Sequence, residues 1–113
     1  MHKGMPRTRI FNVTDSWQMI LEYSPNRTAI LFTNLSTIDV ALCFGNPSEG
    51  NLAVGQGHVI SQSNSPFRLD GYLSVHLVRG PIYASTGSGT ADLVVSESYV
   101  CGECLTEQKL YRE

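Results

Sequence analysis

No stretch before residue 100 repeats apolar side chains at the i, i+3, i+4 spacing of an amphipathic helix. The chain instead runs through short segments rich in Val, Ile, Leu, Phe and Thr, separated by Gly, Pro, Asn and Ser. The segments are RIFNVT, WQMILEY, RTAILFTN, IDVALCFG, HVISQ, FRLD, YLSVHLVR, IYAS and ADLVVSESYV. Such spacing predicts strands, and the connections are too short for helical crossovers, so the pairing should be antiparallel. The expected fold is all-β: a single antiparallel β-sandwich, jelly-roll-like, over residues 10–100. Residues 1–9 read as a polar, basic N-terminal arm, and residues 101–113 as a C-terminal tail that leaves the sandwich.

Alternation within the segments assigns faces. Ile38, Val40, Leu42 and Phe44 should share one face, with Asp39 opposing them and Ala41 and Cys43 small. RTAILFTN is apolar on both faces and predicts a buried strand. In YLSVHLVR, Leu73, Val75 and Leu77 alternate with Ser74, His76 and Val78, which places His76 on the more polar side of a strand.

The sequence STGSGT, residues 85–90, admits two readings. A phosphate-cradling loop needs a helix behind it and, in the ATPase version, a Lys. No Lys follows Gly89, and ADLVVSESYV is poor in helix formers. The architectural reading fits better. Gly87 and Gly89 allow positive φ, Ser and Thr supply local bonds, and the segment becomes the tip of a closing hairpin.

Charge narrows the function classes. Charged residues make up 16% of the 113, below the roughly 25% of ordinary soluble domains, as expected if another chain covers part of the surface. A net charge of −2 argues against nonspecific nucleic-acid binding, which needs clustered Lys and Arg. No apolar run reaches membrane-spanning length, and MHKGMPRTRI lacks the apolar core of a signal peptide. Three cysteines, an odd number with no leader, fit a reducing compartment better than a disulfide framework.

The motifs that could carry chemistry lack their partners. CGEC places Cys101 and Cys104 at the spacing of a redox motif or a zinc half-site. The βαβ context of a redox motif is missing. A zinc site would need further ligands from Cys43, a histidine or a second subunit, so the cysteines are read as incidental to the tail. His2, His58 and His76 have no triad context. Asp15, Asp39, Asp70, Asp92, Glu97 and Glu103 are scattered, with nothing to pair them. Trp17, Tyr23, Tyr72, Tyr83 and Tyr99 read as core or interface residues rather than a sugar platform. Neither enzymatic activity nor a cofactor is expected.

Three segments taken together resemble one family. SPNRTAILFTNLSTIDVALCFG has an Asn-Arg pair leading a buried strand, then TNLS and a second strand. GNLAVGQGHVI follows, and GPIYASTGSGTADLVVSESY closes with a strand ending in Tyr-Ala, a Ser/Gly hairpin and a last strand ending in Glu-x-Tyr. This pattern, over residues 24–99, is similar to the capsid decoration (cement) proteins of tailed phages and to related head and tail-fibre base proteins. The resemblance implies a jelly-roll-type sandwich that trimerises on the outside of a phage head, made in the bacterial cytoplasm and bound to the major capsid protein or another virion protein. It implies no direct contact with nucleic acid or membrane. A fibre-anchoring or tail-adaptor role is the near alternative, and a carbohydrate-binding module a more distant one. In such an assembly the arms would carry the contacts, through Met5, Arg7, Arg9 and Ile10 at one end and Leu105, Leu110 and Tyr111 at the other. Trp17 is the candidate interface anchor, with burial in its own sandwich as the alternative.

Overall fold

The computed structural model describes residues 7–70 and 75–99. Among these, eight strands and one short helix follow in order: β1 (Arg7–Val13), β2 (Gln18–Leu21), β3 (Arg27–Asn34), β4 (Val40–Phe44), β5 (His58–Ile60), β6 (Phe67–Asp70), α1 (Val75–Arg79), β7 (Ile82–Thr86) and β8 (Ala91–Tyr99). Two four-stranded sheets face each other, ordered β1-β8-β3-β6 and β2-β7-β4-β5. All pairings are antiparallel. The pairs β1–β8, β2–β7, β3–β6 and β4–β5 are those of one long hairpin folded over on itself, which is the jelly-roll arrangement.

Alternation sets the core. Val13 of β1, Ile30 and Phe32 of β3, Leu93 and Val95 of β8, and Leu69 of β6 point inward from the first sheet. Val40 and Leu42 of β4, Ile60 of β5, and Ile82 and Ala84 of β7 meet them from the second. On the outer face of the second sheet, Ala41 and Ser85 are buried as well, because the loop over residues 45–57 folds across them. Gly55 N donates to Ser85 Oγ at 3.0 Å, and Trp17 Nε1 donates to Leu52 O at 3.1 Å. The covering loop comes close enough that a Cβ on Gly55 would sit 2.7 Å from Gly87 Cα. All of Val40–Cys43 is therefore buried: Val40 and Leu42 share the core face as expected, and the opposing face is covered by the loop rather than exposed.

Three expectations need correction. First, STGSGT is not a hairpin tip. β7 pairs with β2 and β4, and β8 with β1 and β3, so residues 87–90 arch from one sheet to the other. Thr86 Oγ1 closes the arch by donating to Gly89 O at 2.6 Å, and of the two glycines only Gly89 takes positive φ, at 80°. Alternation and turn residues look alike for an arch and a hairpin, because both join two half-buried strands.

Second, YLSVHLVR does not form a strand through residue 79. Val75–Arg79 is a helical turn between β6 and β7; among its described side chains Val78 is the buried apolar one, while Leu77 is 42% exposed. A helix end leaves carbonyls without intrahelical donors. Here the carbonyls of Val78 and Gly80 serve a buried arginine described below. Third, the arm is shorter than expected at its inner end, since β1 begins at Arg7. Met5, Leu105, Leu110, Tyr111, Cys101 and Cys104 lie outside the described residues.

Candidate functional site

On β8, Ala91, Leu93 and Val95 point inward, and the two-residue period gives the next inward position to Glu97, which is 1% exposed. A carboxylate so deep is costly unless it is paired and hydrogen-bonded. On β3, regular alternation with Ile30, Phe32 and Asn34 would turn Arg27 outward. The register slips between Arg27 and Ala29, which oppose Tyr99 and Ser98, so β3 carries one extra residue there. This bulge turns Arg27 inward, where it is 1% exposed.

The two side chains meet. Arg27 Nη1 donates to Glu97 Oε1 at 3.3 Å and to Glu22 O at 3.1 Å. Its Nε donates to Val78 O at 2.6 Å and its Nη2 to Gly80 O at 2.8 Å. One guanidinium thus ties the β2–β3 turn, the end of α1 and the last strand together. Tyr99 Oη donates to the same Glu97 Oε1, and Arg9 Nη2 donates to Oε2 at 2.9 Å. Arg9 also stacks over the Phe11 ring, 5.0 Å from its centroid. Arg7 Nε lies 3.7 Å from Oε2, beyond hydrogen-bond range.

The electrostatics follow from this ring. Burial alone would raise the pKa of Glu97. Hydrogen bonds from Tyr99 and Arg9, with the charges of Arg9 and Arg27, outweigh burial and hold the carboxyl below its ordinary value. Tyr99 shifts upward, through burial first and then through its bond to Glu97 and the carboxylate charge, against the pull of Arg7 and Arg27. Because the folded value of Glu97 is lowered, its stabilising contribution is present above the unfolded carboxylate pKa of about 4.3 and is lost as pH falls through the folded value. The melting temperature should hold steady from neutral pH to about pH 5 and drop below about pH 4, with a smaller drop in Glu97→Gln. Thermal melts across that range check this, and an equal acid drop in the variant would contradict it.

The charged ring floors a cleft at the open side of the sandwich. Arg7 and Arg9 of β1, Met19–Leu21 of β2, Tyr23, Ser24, Arg27, Glu97 and Tyr99 line it, around a volume of about 380 Å³. The residues expected on an N-terminal arm are divided by the pleat of β1. Arg7 and Arg9 look into the cleft, while Ile10, 65% exposed, faces outward. Trp17 is half-buried, and its indole N–H is committed to the covering loop. Cys43, the one cysteine among the described residues, is free and buried, and burial pushes its thiol up. Arg27, Glu97 and Tyr99 stand at the Asn-Arg and Glu-x-Tyr positions of the pattern noted in the sequence, but none of them was singled out there as a site residue. A carboxylate at an inward position after Leu93 and Val95 was the available signal.

The outer face of the β1-β8-β3-β6 sheet is the second notable surface. Ile10 and Leu31 are exposed on it, at 65% and 37%, and Leu35, just past the end of β3, is 52% exposed. Its polar side chains find partners within the sheet: Thr8 with Ser96 at 2.9 Å, Asn12 with Asp92 at 3.2 Å, and Arg68 with Asp70 at 3.6 Å. The result is a nearly neutral face, with a shallow hollow of about 220 Å³ beside Leu31. Neither a protein-family model nor a curated protein sequence matches the chain.

Proposed function

We propose that this protein is a non-catalytic structural component of a phage virion, which binds the outside of the capsid as a trimer and holds neighbouring major-capsid-protein subunits together. The observation that carries the reading is the outer face of the β1-β8-β3-β6 sheet. Its exposed Ile10 and Leu31 lie among polar groups already paired within the sheet, so covering it leaves few charges to be compensated. Interfaces between protein chains are depleted of charge at their centres in the same way. A jelly roll supplies a stiff body, and trimerisation multiplies each weak contact with the shell through effective concentration. Packed DNA pushes a shell outward, so many small bridging contacts raise the cost of separating its subunits. In this reading the protein is made in the bacterial cytoplasm and resides on the head surface, with no cofactor.

Particles purified from cells that carry the gene provide the test. Peptide counting by mass spectrometry should find the chain in fixed proportion to the major capsid protein, many copies per particle. A handful of copies per particle would move it to a fibre base or tail adaptor, and exclusion from the particles would sink the virion reading.

A further inference from the structure

The cleft between β1 and β2 holds more positive charge than its buried carboxylate uses. Arg27 is committed to three backbone carbonyls and Glu97. Both Glu97 oxygens are taken, by Arg27 and Tyr99 on one side and Arg9 on the other. Arg7 stops short of a hydrogen bond, and its side chain is 55% exposed. Arg9 is 39% exposed and gives Glu97 a single hydrogen bond, through Nη2, while its Nε is buried without a partner among the described residues. Two guanidiniums therefore face the cleft with donors to spare, against only Glu22 as a further carboxylate in its lining.

We infer that this cleft binds an acidic side chain carried on an extended segment of a partner protein. The planar fork of arginine matches a carboxylate through paired hydrogen bonds. The backbone on either side suits an extended chain. β1 and β2 are the edges of their sheets, each paired on one side only among the described residues, so free N–H and C=O groups border the cleft. Met19 and Tyr23, 49% and 66% exposed, give the segment's apolar side chains a wall. A nucleic-acid backbone fits less well, because the other described arginines, Arg68 and Arg79, lie outside the cleft lining and, among the described residues, no track of cations leads away from it. The inference holds whichever assembly the sandwich joins, and its test is independent of the trimer.

The probe is a fluorescently labelled ten-residue peptide with one central Glu among Val and Ser, titrated with the full-length protein. A Gln-centred peptide and inorganic phosphate serve as comparisons. The Glu peptide should bind about tenfold more tightly than the Gln peptide, the difference expected for a charged hydrogen-bonded pair. Arg7→Ala should abolish that difference while leaving the melting temperature unchanged, since Arg7 is exposed and makes no hydrogen bond to Glu97. Equal binding of the two peptides would overturn the inference, as would an unaltered preference in Arg7→Ala. Phosphate binding as tightly as the Glu peptide would make the cleft a free-anion site and overturn it too.

Discussion

Arg27→Ala is expected to lower the free energy of unfolding by about 3–5 kcal/mol, the cost of breaking a buried ion pair from one side. The substitution leaves Glu97 buried with one counter-charge fewer and strips donors from the carbonyls of Glu22, Val78 and Gly80. A domain of this size has roughly 5–15 kcal/mol of stability in total, so the variant should populate unfolded chain at physiological temperature. Urea melts of the variant and the parent measure the difference. Arg27→Met combined with Glu97→Leu should cost less than the two single changes added together, because the orphaned charge then disappears. A single-variant loss below about 1 kcal/mol would mean that the arginine is not the tie the geometry describes.

The second large effect is expected at the opposite end of β3. Asn34 is buried, and its Nδ2 donates to Ile38 O at 2.9 Å and Ile60 O at 2.8 Å. Its Oδ1 accepts from Ser36 N at 2.9 Å. One amide therefore closes the arch from β3 to β4 and fastens it to the end of β5 across the sandwich. Asn34→Ala should cost about 2–4 kcal/mol, since each buried polar group left without a partner costs about 1–3 kcal/mol. Asn34→Asp should fall in the same range, because a carboxylate cannot donate to Ile38 O and Ile60 O. The same urea melts test both variants. A loss within about 0.5 kcal/mol of zero, the range of ordinary surface changes, would contradict the assigned role.

Arg27 and Asn34 also mark where the sequence stops being legible. Between them the strand bounds match the segment expected, but its apolar residues on both faces predicted full burial, whereas only Ile30 and Phe32 face the core and Leu31 on the other face is exposed. At one end the period fails, and at the other it holds but carries a polar side chain inside, each for a physical reason. A bulge reverses Arg27, and Asn34 is buried because its amide satisfies backbone groups from two other elements. Alternation reports which residues face a core, not which sheet a strand joins. The Ser/Gly segment before Ala91 was therefore read as a hairpin although it spans the two sheets. Residues 75–79 were misread for a related reason, since the turn there is shaped by the carbonyls Arg27 needs rather than by its own apolar period. Glu97 was visible as a carboxylate at an inward position. Its arginine partners come from β1 and β3, far off in sequence, and only the wrapped topology brings them together.

The two surfaces of β1 have separate tasks in this account. Its inward side continues the core into an arginine-lined cleft, and its outward side contributes Ile10 to a neutral face. In the proposed trimer the neutral face is covered by further copies of the chain. Light scattering in line with size exclusion on the full-length protein, with and without a chelator, tests this most directly. The account predicts a mass near three chains of 12.4 kDa in both conditions, reduced to one chain by Ile10→Lys. A parent protein that runs as a single chain at every concentration would contradict it.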